Sequence, residues 1–135
     1  MSALIARRWF EEVWNKRNVA VIDEIADGNT LAHHEWGDTK GIESFRSMHA
    51  EFLSAMPDLK FTVEDTLEDA SGRVAVRWLL SGTHCGKGLG CPATNNRVRV
   101  RGVSWLVFRN GRIIEGWDCF NFDGLVGTLS GKGRC

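Results

Sequence analysis

The feature that most constrains this chain is a change of hydrophobic period at Pro57. Upstream, apolar residues recur at helical spacing; downstream, they alternate. Ile5, Trp9 and Val13 fall four apart, with Phe10 and Trp14 widening the stripe, which predicts a helix over residues 2–16. Val19, Ile22 and Ala26 share one side of a second short helix over 19–25, with Asn18 as its cap. Gly28 and Asn29 read as loop, and TLAHHEW after them as a short strand or irregular segment. A third helix over 41–55 carries Ile42, Phe45, His49, Phe52 and Met56 on one stripe. Pro57 stops it, because proline lacks the backbone donor a helix needs.

Beyond Pro57, strands are expected over 61–67, 73–84, 98–108 and 112–120. Residues 69–72 are turn material, 86–96 form a glycine-rich loop, and Asn110-Gly111 is a hairpin turn that asks for positive φ. The tail over 122–129 reads as a turn of helix, followed by fraying around Gly131 and Gly133. Helices followed by antiparallel strands give an α+β domain with the helices stacked on one face of the sheet. Long hairpin-joined strands can curl, and a curled sheet closed by helices makes a cone with an interior. The 135 residues suffice for one domain, residues 1–135, and not for two.

Composition narrows the partners. Lys plus Arg and Asp plus Glu both number 17, so no net field draws the chain to nucleic acid or an acidic membrane. No apolar run approaches the roughly 18 residues of a membrane span, and no secretory leader opens the sequence. The four cysteines, at 85, 91, 119 and 135, lack a CxxC pair and are expected as reduced thiols in the cytoplasm, with Cys135 exposed. Six Trp and seven Phe supply aromatic surface, while the absence of Tyr removes any phenol from the chemistry.

The candidate chemistry centres on GRIIEGWDCFNFDG, residues 111–124. On strand parity Ile114, Gly116, Asp118 and Phe120 share one face, and Ile113, Glu115, Trp117 and Cys119 the other. Asp118 is expected to lie among apolar neighbours, and desolvation is what makes a carboxylate a better base at neutral pH. It could take a proton from a carbon beside a carbonyl and return one to the alkoxide that forms; the bland alternative is an Asp paired with Arg or capping a turn. His33 and His34 suit a proton relay or an oxyanion donor, yet neighbours on an extended segment face opposite ways, so one at most enters an interior. The alternative for both is an exposed loop pair.

Other residues carry weaker signals. His49 lies on the apolar stripe of the third helix, where a core histidine bonded to backbone is the usual outcome and ligand contact the sharper one. His84 ends the second strand and either orders the glycine-rich loop or touches ligand. Arg101, in a row with Arg97 and Arg99, could hold a substrate carboxylate, although such rows are more often solvated or ion-paired. Trp78, Trp105 and Trp117 offer surface for a flat ligand or simply fill a core or an interface, and Phe120 is a further candidate for ligand contact. The histidines show no metal-binding spacing, and GKGLGC is no phosphate loop, since it lacks the Lys-Ser/Thr ending and a helix behind it.

These stretches together resemble a known family. MPDLKFTVED (56–65), VAVRWLLSGTHCGKGLGCPATNNRVRVRG (74–102) and NGRIIEGWDCFN (110–121), with a weaker match in WNKRNVAVIDEIADGNTLAHH, are similar to the SnoaL-like polyketide cyclases of the nuclear transport factor two-like superfamily. The resemblance implies a cone-shaped α+β fold whose curved antiparallel sheet carries the N-terminal helices on its concave face. It implies a homodimer formed through the open sheet face. It further implies cofactor-independent ring closure of a polyketide ester by an intramolecular aldol reaction, without metal or nucleotide, with Asp118 as acid/base. The family's cyclases carry a histidine near Ser104, and an aspartate is common at Asn121. The expected function is therefore a polyketide (ester) cyclase, or a related lyase or isomerase, acting on a small, mostly apolar carbonyl compound. The alternatives are a non-catalytic binder of a hydrophobic small molecule and a purely structural dimer. Limonene epoxide hydrolases share the fold but pair an arginine with two aspartates, and here only Val100 separates Arg99 from Arg101. Ketosteroid isomerases use a tyrosine that this chain lacks.

Overall fold

The computed structural model describes residues 2–90, 92–121 and 124–125. Cys91, Cys135 and the predicted tail lie outside that set, apart from Gly124 and Leu125, which are helical. The first helix begins as α1 (Ser2–Arg8) and widens into a π-helical segment (Trp9–Asn15). An uninterrupted α-helix is the simpler expectation. The wider turns leave Trp9, Phe10, Val13 and Trp14 all buried and carry Asn15 to the sheet. There Asn15 donates from Nδ2 to the Phe61 carbonyl and accepts from the Phe61 N–H, both at 2.8 Å. Arg17, at φ 57°, closes the segment by donating to the carbonyls of Trp14, Asn15, Pro57 and Leu59.

Next come α2 (Ala20–Ile25), β1 (Ala26–His34), β2 (Gly37–Lys40) and α3 (Ile42–Ala55). Asn18 serves α2 with its carbonyl, which accepts from the Val21 N–H, rather than as a side-chain cap. Strands β3 (Lys60–Glu68), β4 (Val74–Thr83), β5 (Arg97–Arg109) and β6 (Arg112–Phe120) follow close to their expected bounds. Asn110 and Gly111 adopt φ 52° and 76°, the two positive values a tight β5–β6 hairpin requires. No helix among the described residues is long and apolar enough to cross a membrane.

The expected cone and the expected antiparallel sheet are both corrected by the strand order. Among the described residues the sheet runs β2-β1-β6-β5-β4-β3, open, with β2 and β3 as its edge strands. It is mixed, because β1 pairs parallel to β6 while the other neighbours are antiparallel. Two physical reasons stand against closure. The β3 edge is already occupied at Phe61 by Asn15, and the opposite edge strand β2 is only four residues long. There is thus no concave face of a cone for the helices to occupy; they pack on one face of an open sheet. Their aromatic residues meet the sheet there, with Phe10 against Phe61 at 5.2 Å and Trp14 against Phe61 at 5.0 Å between ring centroids.

Candidate functional site

Four neighbouring strands each place one polar group in a line across the helix-covered face. Asp118 on β6 lies directly opposite Ser104 on β5. On β4, Trp78 is paired with Gly102, two residues before Ser104, and its indole leans diagonally toward the serine. On β1, His34 follows the His33–Trp117 parallel pair by one residue and so comes alongside Asp118. A bulge sets the phase of β6: Phe108 pairs with Ile113 and Val107 with Glu115, which leaves Ile114 as the extra residue. Simple alternation puts Ile114 on the Asp118 face. The bulge gives that place to Ile113, which is buried and lines the cavity with Gly116, Asp118 and Phe120.

The polar line is continuous. Trp78 Nε1 donates to Ser104 Oγ at 2.9 Å, and Ser104 Oγ donates to Asp118 Oδ1 at 2.6 Å. Asp118 Oδ2 stands 3.2 Å from His34 Nδ1. That last contact is close enough for an ion pair but not aligned as a hydrogen bond, so His34 Nδ1 is buried and unbonded. The His34 side chain is only 5% exposed, against 31% for Asp118. Its ring stacks on Trp36 at 4.4 Å, with the planes 3° apart. Around this line lies a cavity of about 100 Å³, walled by aromatic residues that include Trp9, Phe45, Phe52, Trp78 and Phe120.

The structure sorts the other candidates by face. His33 points away from the cavity: its Nε2 meets Glu115 at 2.7 Å, its Nδ1 meets Asp38 at 2.9 Å, and its ring stacks on Trp117. Glu115 first, then Asp38, raises its pKa. Arg101 and Trp105 lie on that same outer face. Arg101 is 3.6 Å from Glu64, and the guanidinium of Arg73 sits over the Trp105 ring. His49 is buried beside Trp14 and donates from Nε2 to the Val13 carbonyl at 2.8 Å. Burial lowers its pKa, against the raising effect of that hydrogen bond. His84 is fully buried and organises the loop: its Nδ1 is 3.0 Å from Thr94 Oγ1, and its carbonyl accepts from Thr94 and Asn95. Of the nine candidates, Asp118, His34, Trp78 and Phe120 line the cavity, and His33, His49, His84, Arg101 and Trp105 do not.

Ser104 and Trp36 are the residues that sequence reasoning left without a role. The signal for Ser104 lay in strand phase, since Val98, Gly102, Ser104 and Leu106 form a buried row with one hydroxyl in it. Trp36 is the second residue of the two-residue turn between β1 and β2 and carried no periodic signal. Among the described residues no group of three His, Cys, Asp or Glu side chains could hold a metal ion.

Several solved structures share this architecture. The chain aligns with a "Putative SnoaL-like polyketide cyclase" from Jannaschia sp. CCS1 at TM-score 0.86 and 22% identity, over 96% of this chain and 91% of that one. TsrD from Streptomyces laurentii aligns at TM-score 0.81 and 23% identity, over 95% and 94%. AclR from Streptomyces galilaeus aligns at TM-score 0.81 and 24% identity, over 95% and 80%. At such identities the likeness carries the fold alone. Comparison with curated proteins finds no match. The family model of the SnoaL-like polyketide cyclases, however, matches residues 4–127, a span that takes in all four strands of the polar line and the helices above them. On that match, the chain belongs to the SnoaL-like polyketide cyclase family of the nuclear transport factor two-like superfamily.

Proposed function

We propose that the protein is a cofactor-independent acid/base enzyme of the cytoplasm that acts on a small, mostly apolar carbonyl compound, with Asp118 as the base. The observation that carries this reading is the Asp118 carboxylate in the wall of an aromatic cavity, one oxygen bonded to Ser104 and the other beside an unbonded, buried His34 nitrogen. A buried polar atom without a partner is costly, and a ligand oxygen is a natural partner for it. The substrate's carbonyl oxygen then sits near His34 and its apolar body among the rings. Asp118 takes a proton from the carbon beside that carbonyl. In a cyclisation the resulting enolate carbon bonds to a second carbonyl carbon of the same molecule, and the alkoxide formed there recovers the proton. At about 100 Å³ the cavity is smaller than the engineered cavity of about 150 Å³ that holds one benzene, so a ring-sized ligand must extend beyond it or displace a wall side chain.

The test uses 5-nitrobenzisoxazole, a flat aromatic probe. When a base removes its ring C–H proton, the N–O bond breaks and a coloured cyanophenolate is released. Asp118→Asn keeps the size of the side chain and removes the base. Its expected effect is at least a roughly 100-fold loss of probe turnover, with the thermal midpoint retained. Equal rates in wild type and variant would sink the assignment and favour the alternative, a protein that holds an apolar ligand without changing it.

The outer sheet face supports a homodimer. Trp105 and Trp117 pair across β5 and β6 and are 45% and 36% exposed, with Val103 at 40% beside them. The charged side chains around them are paired within the chain, Arg77 and Arg101 with Glu64, and Asp38 and Glu115 with His33, which leaves the tryptophans as the apolar centre of an isologous contact.

A further inference from the structure

We infer that Trp78 and Ser104 are positioning residues that divide the labour between the two oxygens of Asp118, an inference that rests on the acid/base reading above. An indole nitrogen carries a hydrogen and has no lone pair to offer, so Trp78 can only donate. Ser104 Oγ accepts that hydrogen at 2.9 Å, and its own hydroxyl hydrogen goes to Asp118 Oδ1 at 2.6 Å. A serine hydroxyl by itself can turn to give or to take. The indole removes that freedom and makes the serine a donor toward the carboxylate. Oδ1 is therefore occupied as an acceptor, and Oδ2, on the His34 side, is the atom that receives the substrate's proton.

Three further observations fit a line built for direction. Trp78 and Ser104 are 3% and 2% exposed, so water does not compete for the bond between them. Trp78 lies across Gly102, where a Cβ would stand 2.5 Å from two carbons of the indole ring; the strand gives up a side chain to seat it. The rings of Phe61 and Phe120 meet the indole edge-on at 5.0 and 5.6 Å and hold it against rotation. Fixing a reacting carboxylate's orientation acts on the chemical step more than on binding, because the substrate touches Oδ2 and the rings, not Ser104.

The experiment measures 5-nitrobenzisoxazole turnover in wild type, Trp78→Phe, Ser104→Ala, the double variant and Ser104→Thr, with Asp118→Asn as the floor. Phenylalanine keeps an aromatic ring at 78 and removes the donor together with one ring of the indole. The expected result is a roughly tenfold fall in kcat for each single variant with KM within about twofold, and no further fall in the double variant, since both break the same line. Ser104→Thr restores most of the rate, because it keeps the hydroxyl. The Trp78 indole N–H proton resonance, identified by its loss in Trp78→Phe, shifts upfield in Ser104→Ala. Should Trp78→Phe not fold, Ser104→Ala and Ser104→Thr decide alone, through the fall in kcat at constant KM and its rescue. Losses that add in the double variant, or a KM rise in place of a kcat fall, overturn the directed line and leave the two residues as packing. Single variants as fast as wild type, with Asp118→Asn at the floor, overturn the line and leave the base standing. Asp118→Asn as fast as wild type removes the base itself.

Discussion

His33 and His49 couple folding to pH in opposite directions. Glu115 and then Asp38 hold the proton on His33, so its folded pKa lies above the ordinary 6.5. The stability it contributes is fully present below the ordinary value and is lost as pH rises through the raised one. Burial holds His49 below 6.5, so its contribution is present above the ordinary value and is lost as pH falls through the lowered one. The two together favour an optimum between them. The thermal midpoint followed from about pH 4 to about pH 9 separates them, because His33→Asn removes the alkaline-side decline while leaving the acid-side decline in place. A gap between wild type and variant that stays constant with pH would show that His33 acts by stacking on Trp117 and not through its charge.

At the level of elements, the glycine-rich loop is the clearest case of sequence chemistry with a packing meaning. Gly86 sits so close to the end of α3 that a Cβ there would fall 1.9 Å from the Ser54 carbonyl oxygen, and its N–H donates to the Ala55 carbonyl at 3.1 Å. The loop closes onto a helix C-terminus. Gly86→Ala must push the two apart, at a cost of about 1–3 kcal/mol. A lowered urea midpoint, with faster amide exchange in 85–96 and at the end of α3, is the expected outcome; an unchanged midpoint would mean that the loop and helix separate freely. The helices and the four long strands were legible because their periods are strong and their stops, Pro57 and Asn110-Gly111, are chemically unambiguous. Strand β1 was not. Gly28 and Asn29 interrupt it, its polar residues mask the alternation, and its partner β6 is some ninety residues away along the chain. That one missing pairing also hid the site. Without β1 beside β6 nothing chooses His34 over His33, and nothing brings an imidazole to Asp118. The Ile114 bulge likewise left no mark, since isoleucine on either side of it fits the alternation.

For the whole molecule, the question is what covers the outer face. Trp105→Glu places a carboxylate at the centre of the proposed twofold contact, next to its own symmetry mate. Sedimentation velocity is expected to give a dimer for the wild-type chain at micromolar concentration and a monomer for the variant, with the far-ultraviolet spectrum unchanged. A wild-type monomer would leave the exposed tryptophans to some other partner. The sheet itself has a consequence for how the protein comes into being. Among the described residues β6 is the last strand made, yet it lies between β1 and β5 and joins the early half of the chain to the late half. Until it has emerged, β1 and β2 have no neighbour in the sheet, β5 presents a bare edge, and His34 waits without its carboxylate. The nascent chain is therefore adhesive until β6 slots in, and its architecture and the polar line from Trp78 to His34 are completed in the same step.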